Sequence, residues 1–105
     1  MVQLNKVGRA NTKIINDGKF TIIHVHQTDV VKFNNKKIIL DTGGWKTQMT
    51  KNRMNQASNQ YDLYYYVHNI RGEWVVNYRA YKNGIYGVFS KKFINNKCII
   101  NRKIK

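Results

Sequence analysis

The chain has 105 residues, 42% hydrophobic and 12% aromatic, which is too apolar for a disordered tail even though 19 Lys and Arg outnumber 5 Asp and Glu and set a formal charge of +14. That length suits one domain over residues 1–105, burying roughly two thirds of its unfolded surface, and no apolar run approaches the ~20 residues that cross a bilayer. Cys98 is the lone cysteine, so no internal disulfide is possible, and Met1–Lys6 lacks the apolar stretch of a secretory signal; a cytoplasmic location is expected.

Short β-branched and aromatic runs are separated by Asp17-Gly18, Asn34-Asn35, Arg71-Gly72, Asn83-Gly84 and Asn95-Asn96. Such dipeptides suit hairpin turns because Asn, Asp and Gly tolerate positive φ. The runs predict strands near 11–16, 19–26, 29–33 and 36–41, and again near 62–69, 74–81, 85–90 and 97–102. On the second of these, His24 and His26 point to one face. A metal centre would need His68 and Cys98 to converge on them. Spacing alone does not show that, and the histidines read as surface or half-buried strand residues. No metal or cofactor is assigned.

Between the two groups of strands, residues 47–60 carry a helical pattern. Thr50, Met54, Ala57 and Tyr61 fall on one face, and Asn52, Asn55 and Asn59 point away. Thr47 suits the N-cap, and Gly43-Gly44 lets the chain turn from strand into helix. The start of this helix admits two readings. Lys46, Thr47, Thr50 and Lys51 could hold an anionic group; or the segment is a plain connector with Trp45 tucked into the core. The whole reads ββββ-α-ββββ, an α+β domain of mostly antiparallel hairpins, about eight strands and one helix.

The hairpin around Arg71-Gly72 carries the binding argument. A two-residue turn there places Ile70 opposite Glu73, and then Leu63 faces Ala80, Tyr65 faces Tyr78, Val67 faces Val76 and Asn69 faces Trp74. That face is apolar almost throughout. The other face carries Tyr64 opposite Arg79, Tyr66 opposite Asn77 and His68 opposite Val75. Continuing through Asn83-Gly84 adds Tyr81 opposite Tyr86, with Lys92 at the margin. A slip of one residue would mix the two sets. Tyrosines interleaved with cations can stack on unpaired bases while the cations hold phosphates. The same face could instead be buried against the first four strands or a second subunit, since tyrosine suits half-buried sheet surfaces as well.

The run Leu40-Asp41-Thr42-Gly43-Gly44-Trp45-Lys46-Thr47, continuing through Thr50-Lys51-Asn52-Arg53-Met54-Asn55-Gln56, is the most distinctive text in the chain. It resembles small bacteriophage-encoded proteins in which Leu-Asp-Ser/Thr-Gly-Gly-Trp-Lys/Arg-Thr leads into Thr-Lys-x-Arg-Met/Ile-Asn-Gln, followed by a hairpin like Gly72-Glu73-Trp74-Val75-Val76. The resemblance covers roughly residues 24 to 80 and does not reach the basic tail after Tyr81. It implies a phage product acting inside a bacterial host and supplies no activity.

From Trp74 to Lys105 there is no acidic residue, while Arg79, Lys82, Lys91, Lys92, Lys97, Arg102, Lys103 and Lys105 are all basic. A surplus of this kind attracts polyanions. Abundant Asn and a preference for Lys over Arg also fit A·T-biased codons, so part of the charge reflects composition. The expected function is a non-enzymatic nucleic-acid-binding protein, taking RNA or single-stranded DNA or a host ribonucleoprotein. In a phage setting this is an inhibitor of a nucleic-acid-guided or nucleic-acid-cleaving defence, as anti-CRISPR proteins are. Its expected contacts are Tyr64, Tyr66, His68, Arg79, Lys82, Lys91 and Lys92, with Lys46, Lys51 and Arg53. One alternative is direct binding to an acidic host protein. The other is a metal-independent ribonuclease built on His68, Tyr64 and Arg79, the five acids being scattered and no catalytic group being assigned.

Overall fold

Turn chemistry explains most of the topology. The computed structural model describes residues 7, 11–44, 46–82 and 84–102, Lys82 in its backbone only. Asp17 closes the first hairpin by accepting from the backbone N–H groups of Lys19 and Phe20 at 2.9 and 2.7 Å. Asn34 does the same for Lys36 and Lys37 in the third. At Arg71-Gly72 both residues take positive φ, 53° and 85°, so Ile70 pairs directly with Glu73. Asn95 and Asn96 reverse the chain in the same way, with φ of 52° and 68°.

Eight strands result, β1 (Thr12–Asn16), β2 (Thr21–Val25), β3 (Thr28–Phe33), β4 (Lys37–Asp41), β5 (Tyr65–Ile70), β6 (Glu73–Lys82), β7 (Ile85–Lys92) and β8 (Lys97–Asn101), with α1 (Gln48–Tyr61) between β4 and β5. They form two antiparallel sheets, ordered β1-β2-β3-β4-β8 and β5-β6-β7. The fold is therefore α+β and mostly strand. The last strand leaves its sequence neighbours and pairs with β4, Leu40 opposite Cys98 and Ile38 opposite Ile100. Alternation explains the fit, since Cys98 and Ile100 are buried while Lys97, Ile99 and Asn101 are exposed.

One core joins the sheets and the helix. Ile23, Val31, Leu40, Met54, Ala57, Val67 and Val76 are fully buried within it. A bulge opposite Ile23 and His24 lets the consecutive Val30 and Val31 both enter that core. Strand β2 ends at Val25, and His26 lies in the following turn with φ 54°, so His24 and His26 do not share a strand face as expected. His24 instead meets Asp29 at 2.7 Å, while Cys98 is 3% exposed. Among the described residues no three His, Cys, Asp or Glu side chains gather where a metal could bind.

Helix α1 starts at the expected cap, where the Thr50 N–H donates to the Thr47 hydroxyl at 3.1 Å. Gly43 must be glycine twice over: its φ is +61°, and a Cβ there would lie 2.4 Å from the Thr28 hydroxyl oxygen. Thr50, Met54 and Ala57 are buried, as the helical spacing predicts. Asn55 was expected to face away, but it is 2% exposed. Its side chain accepts from the Val67 N–H at 2.7 Å and donates to the Val67 carbonyl at 2.9 Å. Ser58 does the same for Tyr65, at 3.0 and 2.7 Å. Strand β5 is an edge of its sheet, and these two side chains stand where a neighbouring strand would be. Trp45, which the sequence suggests for the core, and the Asn83 position of the β6–β7 turn lie outside the described residues.

Candidate nucleic-acid interface

The outer face of the β5-β6-β7 sheet follows from strict alternation. Tyr65, Val67, Trp74, Val76 and Tyr78 are buried beneath it. Register is as the two-residue turns predict: Tyr66 faces Asn77, His68 faces Val75, Arg79 faces Val88 and Tyr81 faces Tyr86. Among the described residues no element covers the outer side. Tyr66 is 54% exposed, Tyr86 49% and Val88 65%. A surface this rich in exposed rings and aliphatic groups is unusual on a monomer and marks a contact site. Between the two readings of the face left open by the sequence, solvent exposure within the chain favours a platform.

The rings are arranged in two pairs. Tyr66 stacks on His68 with centroids 5.9 Å apart, and Tyr81 meets Tyr86 at 4.8 Å. The Nε2 atom of His68 is shielded from solvent and has no hydrogen-bond partner. Asn77 and Ser90 are bonded to each other at 2.7 Å. Tyr64 departs from the expected strand. Asp62 ends α1 in the left-handed region, and Tyr64 has φ +59°. Its carbonyl still accepts from the Arg79 N–H at 3.0 Å, so its backbone stays beside Arg79 at the end of the face, and the residue is 59% exposed.

The cations are less concentrated than the charge pattern suggests. Arg79 lies on the tyrosine face and is exposed. Lys92 lies at its margin, 3.4 Å from Glu73, an exposed pair of little energetic weight. Lys91 points the other way. Its ammonium donates to the Ile99 carbonyl at 2.6 Å and sits over the Tyr78 ring, tying the two sheets together. Lys97 and Arg102 follow β8 to the first sheet, so the basic C-terminal half is divided between both sheets. The Lys82 side chain, Lys103 and Lys105 lie outside the described residues. Lys13, Lys19, Lys36, Lys37 and Arg71 are exposed on other strands and turns.

Near α1, Lys46 is exposed and Lys51 half-buried, far from the tyrosines in sequence and on a different element. Arg53 is 8% exposed and donates to Thr12 and Gln56, which is a structural role rather than a surface contact. A cavity of about 620 Å³ beside the helix start is lined by Val25, His26, Thr28, Thr42, Thr47 and Met49 among others, with no lysine or arginine among its described lining.

The ribonuclease grouping comes together only in part. Tyr64 and Arg79 line one cavity, but His68 pairs with Val75, four residues from Arg79 and about 13 Å along the strand. Sequence reasoning counted Arg102 in the basic tail but did not place it with the tyrosines. It lines the same cavity as Tyr64, Arg79, Tyr81 and Tyr86, with its guanidinium donating to the Asn34 carbonyl at 2.7 Å. Nothing in the sequence signals this, because it depends on β8 pairing with β4. A second groove, of about 710 Å³, runs past Lys91, Lys92, Ile94, Lys97 and Ile99, with Ile94 73% exposed.

A family model described as Kyanoviridae Gp96 protein covers residues 2–100, well beyond the stretch from 24 to 80 on which the phage resemblance rests. No curated protein and no solved structure matches the chain.

Proposed function

The chain belongs to the Kyanoviridae Gp96 protein family of bacteriophages, and on that premise we propose that it is a non-enzymatic protein binding single-stranded nucleic acid on the outer face of the β5-β6-β7 sheet. One observation carries the reading: Tyr64, Tyr66 and Tyr86 are each about half exposed on one face that also bears Arg79. Exposed rings on a sheet stack on unpaired bases without regard to sequence, and each stacked base is worth about 1–3 kcal/mol. The +14 charge adds long-range attraction for phosphate wherever the strand first meets the protein. In the infected bacterium such a surface would occupy an RNA or exposed DNA strand belonging to host machinery, a guide-carrying defence complex being the concrete case. No helix among the described residues is long and apolar enough to cross a membrane.

The test is titration of a labelled single-stranded oligonucleotide at several salt concentrations. Affinity should fall with salt, with a log–log slope near 0.7 per contacted phosphate. The double variant Tyr64→Ala, Tyr66→Ala should bind at least tenfold more weakly while melting close to the parent, and the oligonucleotide should remain uncut in EDTA. A salt-independent affinity, or a double variant that unfolds, would remove the basis for this function. The groove along Lys91, Lys92 and Lys97, with Ile94 and Ile99 exposed beside them, supports a second reading, an acidic host protein as partner. Retention of a host protein after nuclease digestion would favour it.

A further inference from the structure

At the end of the tyrosine face, the core opens to solvent through a cavity of about 180 Å³. Its lining brings the apolar Leu63, Ala80, Ile38 and Ile100 together with Tyr64, Tyr81 and Tyr86 and with Arg79 and Arg102. We propose that this cavity takes one unpaired nucleobase of a bound strand, with the adjoining phosphate on the two guanidinium groups. The inference rests on the nucleic-acid reading above and narrows it to a strand whose bases are not paired.

Four features support the assignment. The space admits a single planar ring system, and a base pair is too wide for it. Tyrosines beside aliphatic side chains suit the faces of a base, while arginines in the same lining suit the phosphate attached to it. Arg102 is held in place before any ligand arrives, through bonds from its guanidinium to the Asn34 carbonyl and from its backbone N–H to the Lys36 carbonyl, both 2.7 Å. Pre-positioned donors lose less entropy on binding. Finally, Tyr64 holds a backbone conformation rare for a bulky residue, φ +59°, with its ring 59% exposed. Burial of the ring therefore does not explain why tyrosine stands there, and contact with a ligand does.

Two other concave surfaces lack this combination, and a cavity of about 280 Å³ that shares Arg102 has Phe20 and Phe33 beside Lys19 but none of the tyrosines. The cavity beside α1 has hydroxyls without cations among its described lining, and the groove beside β8 has lysines without aromatic walls.

The test uses the full chain and three fluorescent probes of equal phosphate count: a single strand, the same backbone with abasic sites, and a hairpin duplex. The single strand should bind about 5- to 150-fold more tightly than the abasic probe, the ratio corresponding to one stacked base. Tyr64→Gly removes the ring and suits the positive φ, so it should keep its melting temperature while narrowing the difference between the two affinities. Tyr64→Phe should restore the difference. Equal affinity for the single strand and the abasic probe in the parent protein would overturn the base-binding cavity while leaving phosphate binding intact. No binding to any of the three would overturn the cavity and the nucleic-acid reading together.

Discussion

Tyr64 and Tyr65 are neighbours in sequence with opposite fates, and the contrast shows what sets each one. Tyr65 is 5% exposed, its hydroxyl donating to the Met54 carbonyl in α1. Burial pushes its phenol well above the usual value of 10.0. The neutral form is therefore the one the fold holds. Because the folded value is raised, its contribution to stability is complete below about pH 10 and is lost as the unfolded chain ionises above it. We expect the parent protein to lose stability on going from pH 9 to pH 11, and Tyr65→Phe to lose less over the same interval, as read by urea unfolding. Equal slopes for the two would contradict the assigned environment. Tyr64, 59% exposed, contributes little to the core.

At the scale of elements, the β5 edge depends on two side chains from α1. Replacing Asn55 by Ala leaves the Val67 N–H and carbonyl without partners in the interior, which costs about 1–3 kcal/mol for each buried group left unsatisfied. We expect a lower melting temperature and faster amide exchange at Val67, and unchanged exchange at Val67 would show that another group can take over. The elements themselves were legible in the sequence where two-residue turns pinned the register. Arg71-Gly72 was enough to place Tyr65 opposite Tyr78 and to separate buried from exposed tyrosines. Two features were not legible. Asn55 looked solvent-facing because helix periodicity ranks polar residues outward, and a polar side chain replacing a strand is invisible to that rule. The pairing of β8 with β4 depends on where the chain returns after Asn95-Asn96, so neither Arg102 in the tyrosine cavity nor the inward turn of Lys91 could be read from spacing.

For the whole molecule, charge and shape divide the work. Exposed lysines and arginines lie on both sheets and several turns, so the +14 surplus acts as a general field drawing in polyanions. It does not by itself say where the partner rests. On this proposal, location is set by the outer face of the β5-β6-β7 sheet, where the exposed rings are. The most direct measurement is a ¹⁵N chemical-shift titration with a short single-stranded oligonucleotide at moderate salt. The largest shifts should fall on Tyr64, Tyr66, Arg79, Tyr86 and Val88. Shifts centred instead on Lys13, Lys36 and Lys37, or on the start of α1, with the tyrosine face silent, would contradict it.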